Sequence, residues 1–152
     1  MKKTLHISVF LFLIASLPTK AMYNDALNPS GCTFLDMQNF YMKELGIDSG
    51  VTIQYVYLRM PEPNMRGYTT PLKNGSYHIF LSNGLEPSEL RVTLAHELVH
   101  VRQLENNQIK IPEFRKHYME RSFEAEAFKL SIPLAIKFYT EHTCQKPTDE
   151  TL

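Results

Sequence analysis

The motif H-E-x-x-H at residues 96–100 constrains this chain most strongly, because its side chains can act together only on a helix. Side chains four residues apart lie on one face of a helix, so His96 and His100 can offer imidazole nitrogens to a single metal ion. Glu97 follows the first histidine directly, which places its carboxylate near the open coordination position, where it can take a proton from water. Apolar residues at helical spacing predict one buried face for this helix: Leu94, Leu98, Val101 and Leu104.

A catalytic zinc site usually has three protein ligands, so the chain must supply one more. The extended motif H-E-x-x-H-x-x-G-x-x-H is excluded, because this chain has Gln103 and Asn106 where that motif needs glycine and histidine. Two antiparallel helices can place a residue about 24 positions later opposite the histidines, and Glu124 lies at that distance. Glu126 is the alternative, since two residues that are two apart on a helix cannot both face the metal.

The two motifs together, H-E-x-x-H at 96–100 and Glu-Ala-Glu-Ala at 124–127, resemble those of the gluzincin zinc metallopeptidases. The likeness is greatest to the small minigluzincins, whose second motif is E-x-E-A or E-x-x-A, and it covers roughly residues 76–130. In that family the first glutamate of the second motif is the third zinc ligand, which implies this role for Glu124. The family also implies that the strand at residues 77–82 is an edge strand that pairs with an extended peptide substrate.

The residue after the second motif departs from the family pattern. An Asp or Asn often stands there and supports a metal-binding histidine, but this chain has Phe128. The resemblance therefore leaves the orientation of the histidines unexplained, and it keeps Glu126 open as the alternative third ligand.

The resemblance implies the same mechanism as the first motif. One zinc ion per chain would polarise the scissile carbonyl, and Glu97 would pass a proton from the attacking water to the leaving amine. A hydrogen-bond donor to the developing oxyanion is also expected. The candidates, by their proximity to the second motif in the sequence, are His117, Tyr118 and Arg121, with a structural role as the alternative for each.

Residues 1–21 have the pattern of a secretory signal peptide. Lys2 and Lys3 precede a largely apolar run over residues 5–17, and residues 18–21 add a break and small residues before a cleavage site. The apolar run is short for a membrane span, although an uncleaved anchor is the alternative. The pattern predicts an exported protein, periplasmic or secreted, without membrane attachment once the signal peptide is removed.

Export would place the two cysteines, Cys32 and Cys144, in an oxidising compartment. They lie near the two ends of the chain that follows the signal peptide, so a disulfide would tie the N-terminal segment to the C-terminal helix. Two free thiols are the alternative.

Composition limits the classes of partner. Residues 1–21 carry three lysines and no acid, so the remaining chain has 13 basic and 16 acidic residues, scattered singly. This is not the basic surface of a nucleic-acid-binding protein. The length suits a single domain over residues 22–152, and the sequence makes no prediction about oligomeric state.

The order of predicted elements indicates an α+β fold. A mostly antiparallel sheet of two to four strands would pack on the active-site helix and on a C-terminal, glutamate-bearing helix, with an N-terminal packing helix. Residues 64–75 are either a wide loop or a short extra strand with a turn. The other expected elements are a helix over 34–45, strands over 51–60 and 77–82, a helix from 87 to about 106, and a helix from 112 to 140 that Pro133 kinks or divides.

Together these features predict an exported zinc metallopeptidase that acts on a peptide or protein substrate. Three alternatives remain open. The helix is a core helix that carries two hydrogen-bonded histidines; the protein is an exported, zinc-containing binding or inhibitor-type module without turnover; or it is a cell-wall amidase that uses the same zinc chemistry.

Overall fold

The computed structural model describes most of the chain that follows the predicted signal peptide. The described residues are 33–56, 60, 65–110, 112–113 and 116–142. The predicted signal peptide and both cysteines, Cys32 and Cys144, lie outside them, so export and the disulfide stay predictions. Among the described residues, no helix is both long and apolar enough to cross a membrane.

The described residues form the predicted α+β fold, with three α-helices and a three-stranded sheet. In chain order the elements are α1 (Phe34–Leu45), β1 (Val51–Val56), β2 (Gly67–Pro71), β3 (Tyr77–Ser82), α2 (Pro87–Glu105), a 3-10 turn (Tyr118–Glu120) and α3 (Ser122–Glu141). The bounds of α1, β3 and α2 confirm those expected from the sequence, because each end has a local stop signal. Thr33 and Asp36 form a capping box at the start of α1, and Gly46, with φ of 65°, ends it.

The sheet has the strand order β1-β3-β2, with β3 parallel to β1 and antiparallel to β2. One of its two pairings is thus parallel, whereas a mostly antiparallel sheet was expected. The prediction that residues 77–82 form an edge strand is wrong, because the turn-rich segment contains an extra strand, β2, that covers this edge. A tight turn with Gly75 at φ of 80° joins β2 to β3.

The C-terminal helix is shorter than predicted and is not divided. It begins at Ser122 instead of residue 112, because the 3-10 turn precedes it and Arg121 has extended backbone angles. The carboxylate of Glu113 accepts hydrogen bonds from the backbone N–H and the hydroxyl of Ser122, which satisfies a free donor at the new helix start. α3 continues through Pro133, whose exposed ring faces away from the core.

α2 is the central element of the fold and contacts α1, α3, β2 and β3. Ile79 and Leu81 point from the centre of the sheet into the core, and both are fully buried. The predicted apolar face of α2 lies in the same core, with Leu94, Leu98 and Val101 fully buried. Several polar side chains of α2 are also buried, against β2 and α3. They must therefore find hydrogen-bond partners inside the protein.

Tyr41 offers a test of the core packing. Its side chain is fully buried between aromatic rings, and its hydroxyl has no hydrogen-bond partner among the described residues. Because an unsatisfied buried hydroxyl is costly, Tyr41→Phe should raise the free energy of unfolding by roughly 1 kcal/mol in urea denaturation. The control is Tyr139→Phe, at a tyrosine that is 43% exposed, which should change stability by less than about 0.5 kcal/mol. A less stable Tyr41→Phe variant would show that this hydroxyl is satisfied.

Candidate metal centre

Three side-chain atoms from two helices converge on one point. Nε2 of His96 lies 3.1 Å from Nε2 of His100 and 3.1 Å from Oε2 of Glu124. The third edge of this triangle, from Nε2 of His100 to Oε2 of Glu124, is 3.4 Å. Ligand atoms around a tetrahedral zinc ion, each about 2.0–2.1 Å from it, lie roughly 3.3 Å apart. The spacing of the His96, His100 and Glu124 group therefore fits a zinc ion, and one corner of the tetrahedron is left for water or substrate.

One helix and its packing against a second helix set this spacing. The two histidines are one turn apart on α2, and Glu124 lies in the first turn of α3, which packs against α2. The three residues are only 7%, 9% and 4% exposed, in chain order. Glu124 is therefore not part of a solvated helix face. A buried group of this composition could hold a metal ion.

The electrostatics of the group keep Glu124 in the charged form that a metal ligand needs. Burial opposes ionisation of Glu124, but hydrogen bonds with His100 and His96 outweigh it and lower the pKa of this carboxyl to about 2. Burial also acts to lower the pKa of His100, yet the nearby Glu124 and Glu97 raise it overall. The carboxylate is thus ionised at neutral pH, as a metal ligand must be.

Glu97 lies beside this group and is held by β2. It is 4% exposed, and burial raises its pKa, opposed by the nearby histidines. The Thr69 hydroxyl donates a hydrogen bond of 2.8 Å to Oε2 of this carboxylate. Two residues earlier on the same strand face, a Cβ added at Gly67 would lie 2.9 Å from both Cγ and Oε1 of Glu97. Only glycine lets β2 pass this close to the carboxylate.

A hydrogen bond with Gln103 accounts for the orientation of His100, which the motifs left unexplained. Its Oε1 lies 2.8 Å from Nδ1 of His100, on the side of the ring away from the metal position. Its Nε2 donates two hydrogen bonds of 2.9 Å, one to the Phe123 carbonyl and one to Oε2 of Glu126. Glu126 therefore faces Gln103, while Glu124 joins the two histidines. Of the two glutamates that the sequence left open, the structure places Glu124 in the group.

Phe128, which replaces the polar residue of the family pattern, packs against the other histidine. Its ring centroid lies 4.8 Å from that of His96, so it supports this ring by contact instead of by a hydrogen bond. The ring is 41% exposed, which leaves one side of it open to solvent.

The three candidate oxyanion donors are placed differently. Burial raises the pKa of Tyr118, as do the charge of Glu124 and a hydrogen bond with it, so this phenol is neutral and adjoins the His-His-Glu group. His117 is exposed. The Arg121 guanidinium lies 5.5 Å from the centroid of the Tyr118 ring, and its Nε donates to the Lys116 carbonyl. Of the three, Tyr118 is the one that the structure brings to the site.

Sequence reasoning did not assign roles to Gly67, Thr69 and Gln103. The first two lie in a segment whose strand was uncertain, and their contact with Glu97 depends on tertiary packing. Gln103 carried a signal, since it lies three residues after His100 and thus on the same face of α2. A polar residue at this spacing can hydrogen-bond the outer nitrogen of a ligand histidine.

The fold and the site define a zincin-like protein, in which a helix with H-E-x-x-H meets a glutamate from a following helix. The family model of the IrrE N-terminal-like domain, Peptidase_M78, matches residues 49–141, which is more than half of the chain. The chain therefore belongs to this family. The matched segment includes all three strands, α2 and the whole of α3. Comparisons with curated proteins and with solved structures find no match.

The two glutamates should differ sharply in their effect on metal affinity. Glu124→Ala removes a group that faces both histidines, so it should weaken zinc binding by more than about 100-fold, beyond the usual cost of losing a supporting residue. Glu126→Ala should weaken it by at most about tenfold, because this residue acts only through Gln103. Competition with a chromogenic chelator measures both affinities. Equal losses, or a larger loss in Glu126→Ala, would contradict the assignment of Glu124.

Proposed function

We propose that this protein is a zinc metallopeptidase that hydrolyses peptide bonds in an exported setting. One observation carries the proposal: a buried carboxylate, Glu97, adjoins the group formed by His96, His100 and Glu124 and contributes no atom to it. A purely structural metal site needs no such carboxylate, whereas hydrolysis needs a base next to the metal. Membership of the peptidase family supports the same class of chemistry.

In this proposal His96, His100 and Glu124 hold the zinc ion, which supplies Lewis acidity toward the scissile carbonyl and toward water. Glu97 takes a proton from the attacking water and gives it to the leaving amine. Burial raises its pKa, which suits the first step, because a carboxylate with a raised pKa is a stronger proton acceptor. The hydrogen bond from Thr69 holds one carboxylate oxygen, which leaves the other for the proton.

Tyr118 is the proposed donor to the oxyanion. Its hydroxyl is neutral because burial and the adjacent Glu124 raise its pKa, so it keeps its proton at the pH of the reaction. A phenol can donate a hydrogen bond to the negative charge that develops on the carbonyl oxygen. Phe128 and Arg121 contact its ring and limit its movement.

The proposed peptide-binding edge is β2, in place of β3. β3 has a partner on both sides, whereas β2 pairs with β3 alone among the described strands. β2 also runs beside the proposed base, with Gly67 and Thr69 in contact with Glu97. An extended peptide that adds to the free edge of β2 would therefore pass next to the catalytic groups.

Two other functions use the same residues. The family includes IrrE-like regulators, so a zinc-containing binding or regulatory module without turnover is the second candidate. A cell-wall amidase would use the same zinc chemistry on another amide. Incubation with a peptide library and with isolated peptidoglycan separates the three, because they predict peptide fragments, stem peptides released from the glycan strands, or no products at all.

Substitution of the base tests the proposal directly. Glu97→Gln removes the proton acceptor but keeps the size of the side chain and its hydrogen bond with Thr69, so zinc binding should be unchanged. Hydrolysis of a peptide library should fall by about 100-fold or more. Mass spectrometry of the products and zinc analysis of the same sample measure both effects. Peptide cleavage that persists in the Glu97→Gln protein would remove this residue from the mechanism.

The close approach of β2 gives a second test, in which no proposed catalytic residue is substituted. Gly67→Ala adds a methyl group 2.9 Å from two atoms of Glu97, so the carboxylate must move, and kcat should fall by about 100-fold while zinc stays bound.

The matched control for this substitution is Gly50→Ala. There the added Cβ would make an ordinary contact of 3.6 Å with Ser76, remote from Glu97. This variant should keep parental kcat. If Gly67→Ala also kept parental kcat, the position of the Glu97 carboxylate would not be critical.

A further inference from the structure

We propose that Gln103 is a positioning residue that fixes the ring orientation and the tautomer of His100, and that Glu126 sets the orientation of the Gln103 amide. This inference rests on the proposed metal site and goes beyond its ligands. It assigns a role to the second glutamate of the Glu-Ala-Glu-Ala motif and to a residue outside both motifs.

The hydrogen bonds allow only one orientation of the Gln103 amide. An amide nitrogen has two protons to donate, and both acceptors at Nε2, the Phe123 carbonyl and the Glu126 carboxylate, lie at 2.9 Å. The Phe123 carbonyl can only accept, and the Glu126 carboxylate oxygen accepts from the same amide nitrogen. A reversed amide would place its oxygen against these two oxygens and would lose both hydrogen bonds. The amide oxygen must therefore face His100.

The orientation of the amide in turn determines the tautomer of His100. The amide oxygen is only an acceptor, so Nδ1 of His100 must carry the proton that bridges the 2.8 Å between them. A neutral imidazole then has its lone pair on Nε2, the atom that lies 3.1 Å from Nε2 of His96 and 3.4 Å from Glu124. Gln103 thus presents the correct nitrogen of His100 to the metal position.

Burial makes this arrangement selective. Gln103 is 1% exposed, so water cannot replace its hydrogen bonds, and a wrong tautomer would leave buried polar atoms unpaired. The position also links both helices of the site, since the amide lies on α2 while Phe123 and Glu126 belong to α3. A role limited to holding the helices together is the competing account. It predicts a loss of stability without a loss of zinc affinity in the folded protein.

The first test compares zinc affinity, by chelator competition, in the wild-type protein and in Gln103→Leu. Gln103→Leu removes the acceptor for the His100 proton and should weaken zinc binding by about 10-fold to 100-fold.

A second test uses two substitutions of Glu126, a residue that is not fully buried, so that both variants are expected to fold. Glu126 is only half-buried, and Glu126→Gln and Glu126→Leu remove the same charge, but only the glutamine still accepts a hydrogen bond from Gln103. Glu126→Gln should keep parental zinc affinity, and Glu126→Leu should lose about threefold to tenfold. This pair decides the matter if Gln103→Leu does not fold.

The outcomes separate this inference from the function it rests on. A wild-type protein that binds no zinc overturns the proposed metallopeptidase and this role of Gln103 with it. A wild-type protein that binds zinc, with equal affinity in folded Gln103→Leu or in both Glu126 variants, overturns only the positioning role.

Discussion

Three side chains that water would solvate well, His96, His100 and Glu124, are buried together between α2 and α3, and the fold depends on satisfying them. A lone carboxylate at this depth would be strongly destabilising. Here each polar atom of the triangle lies within 3.1–3.4 Å of the other two, and a divalent cation at its centre would neutralise the carboxylate outright. Burial of these groups is costly when they have no partner, and for that reason the arrangement favours a bound metal ion.

The apolar core supplies the rigidity that the site needs. α2 packs on α1, on the inner face of the sheet and on α3, so its polar face cannot rotate away from Glu124. The edge strand β2 then closes the remaining side, with Gly67 close to Glu97 and Thr69 hydrogen-bonded to it. The candidate metal ligands and Glu97 thus lie on two helices, and one strand supports Glu97. Regular secondary structure holds such groups more rigidly than loops do.

The local elements and the pairing of His96 with His100 could be predicted from the sequence because their signals are local, whereas the choice between Glu124 and Glu126 stayed open. Helix caps, turn residues and the four-residue spacing of His96 and His100 depend on short-range geometry. The features that could not be predicted depend on tertiary structure. The extra strand β2 lies in a segment rich in turn residues, and its presence changes both the edge of the sheet and its parallel character. The role of Gln103 depends on where α3 places Phe123 and Glu126, which no spacing along the chain encodes.

Zinc-edge X-ray absorption on the purified, zinc-loaded protein tests the central claim most directly, because it reports the ligand atoms themselves. The structure predicts one zinc ion per chain with two imidazole nitrogens and oxygen ligands, all at about 2.0–2.2 Å, and no sulfur. Sulfur at about 2.3 Å, or a folded protein that holds no zinc when zinc is supplied, would contradict the account.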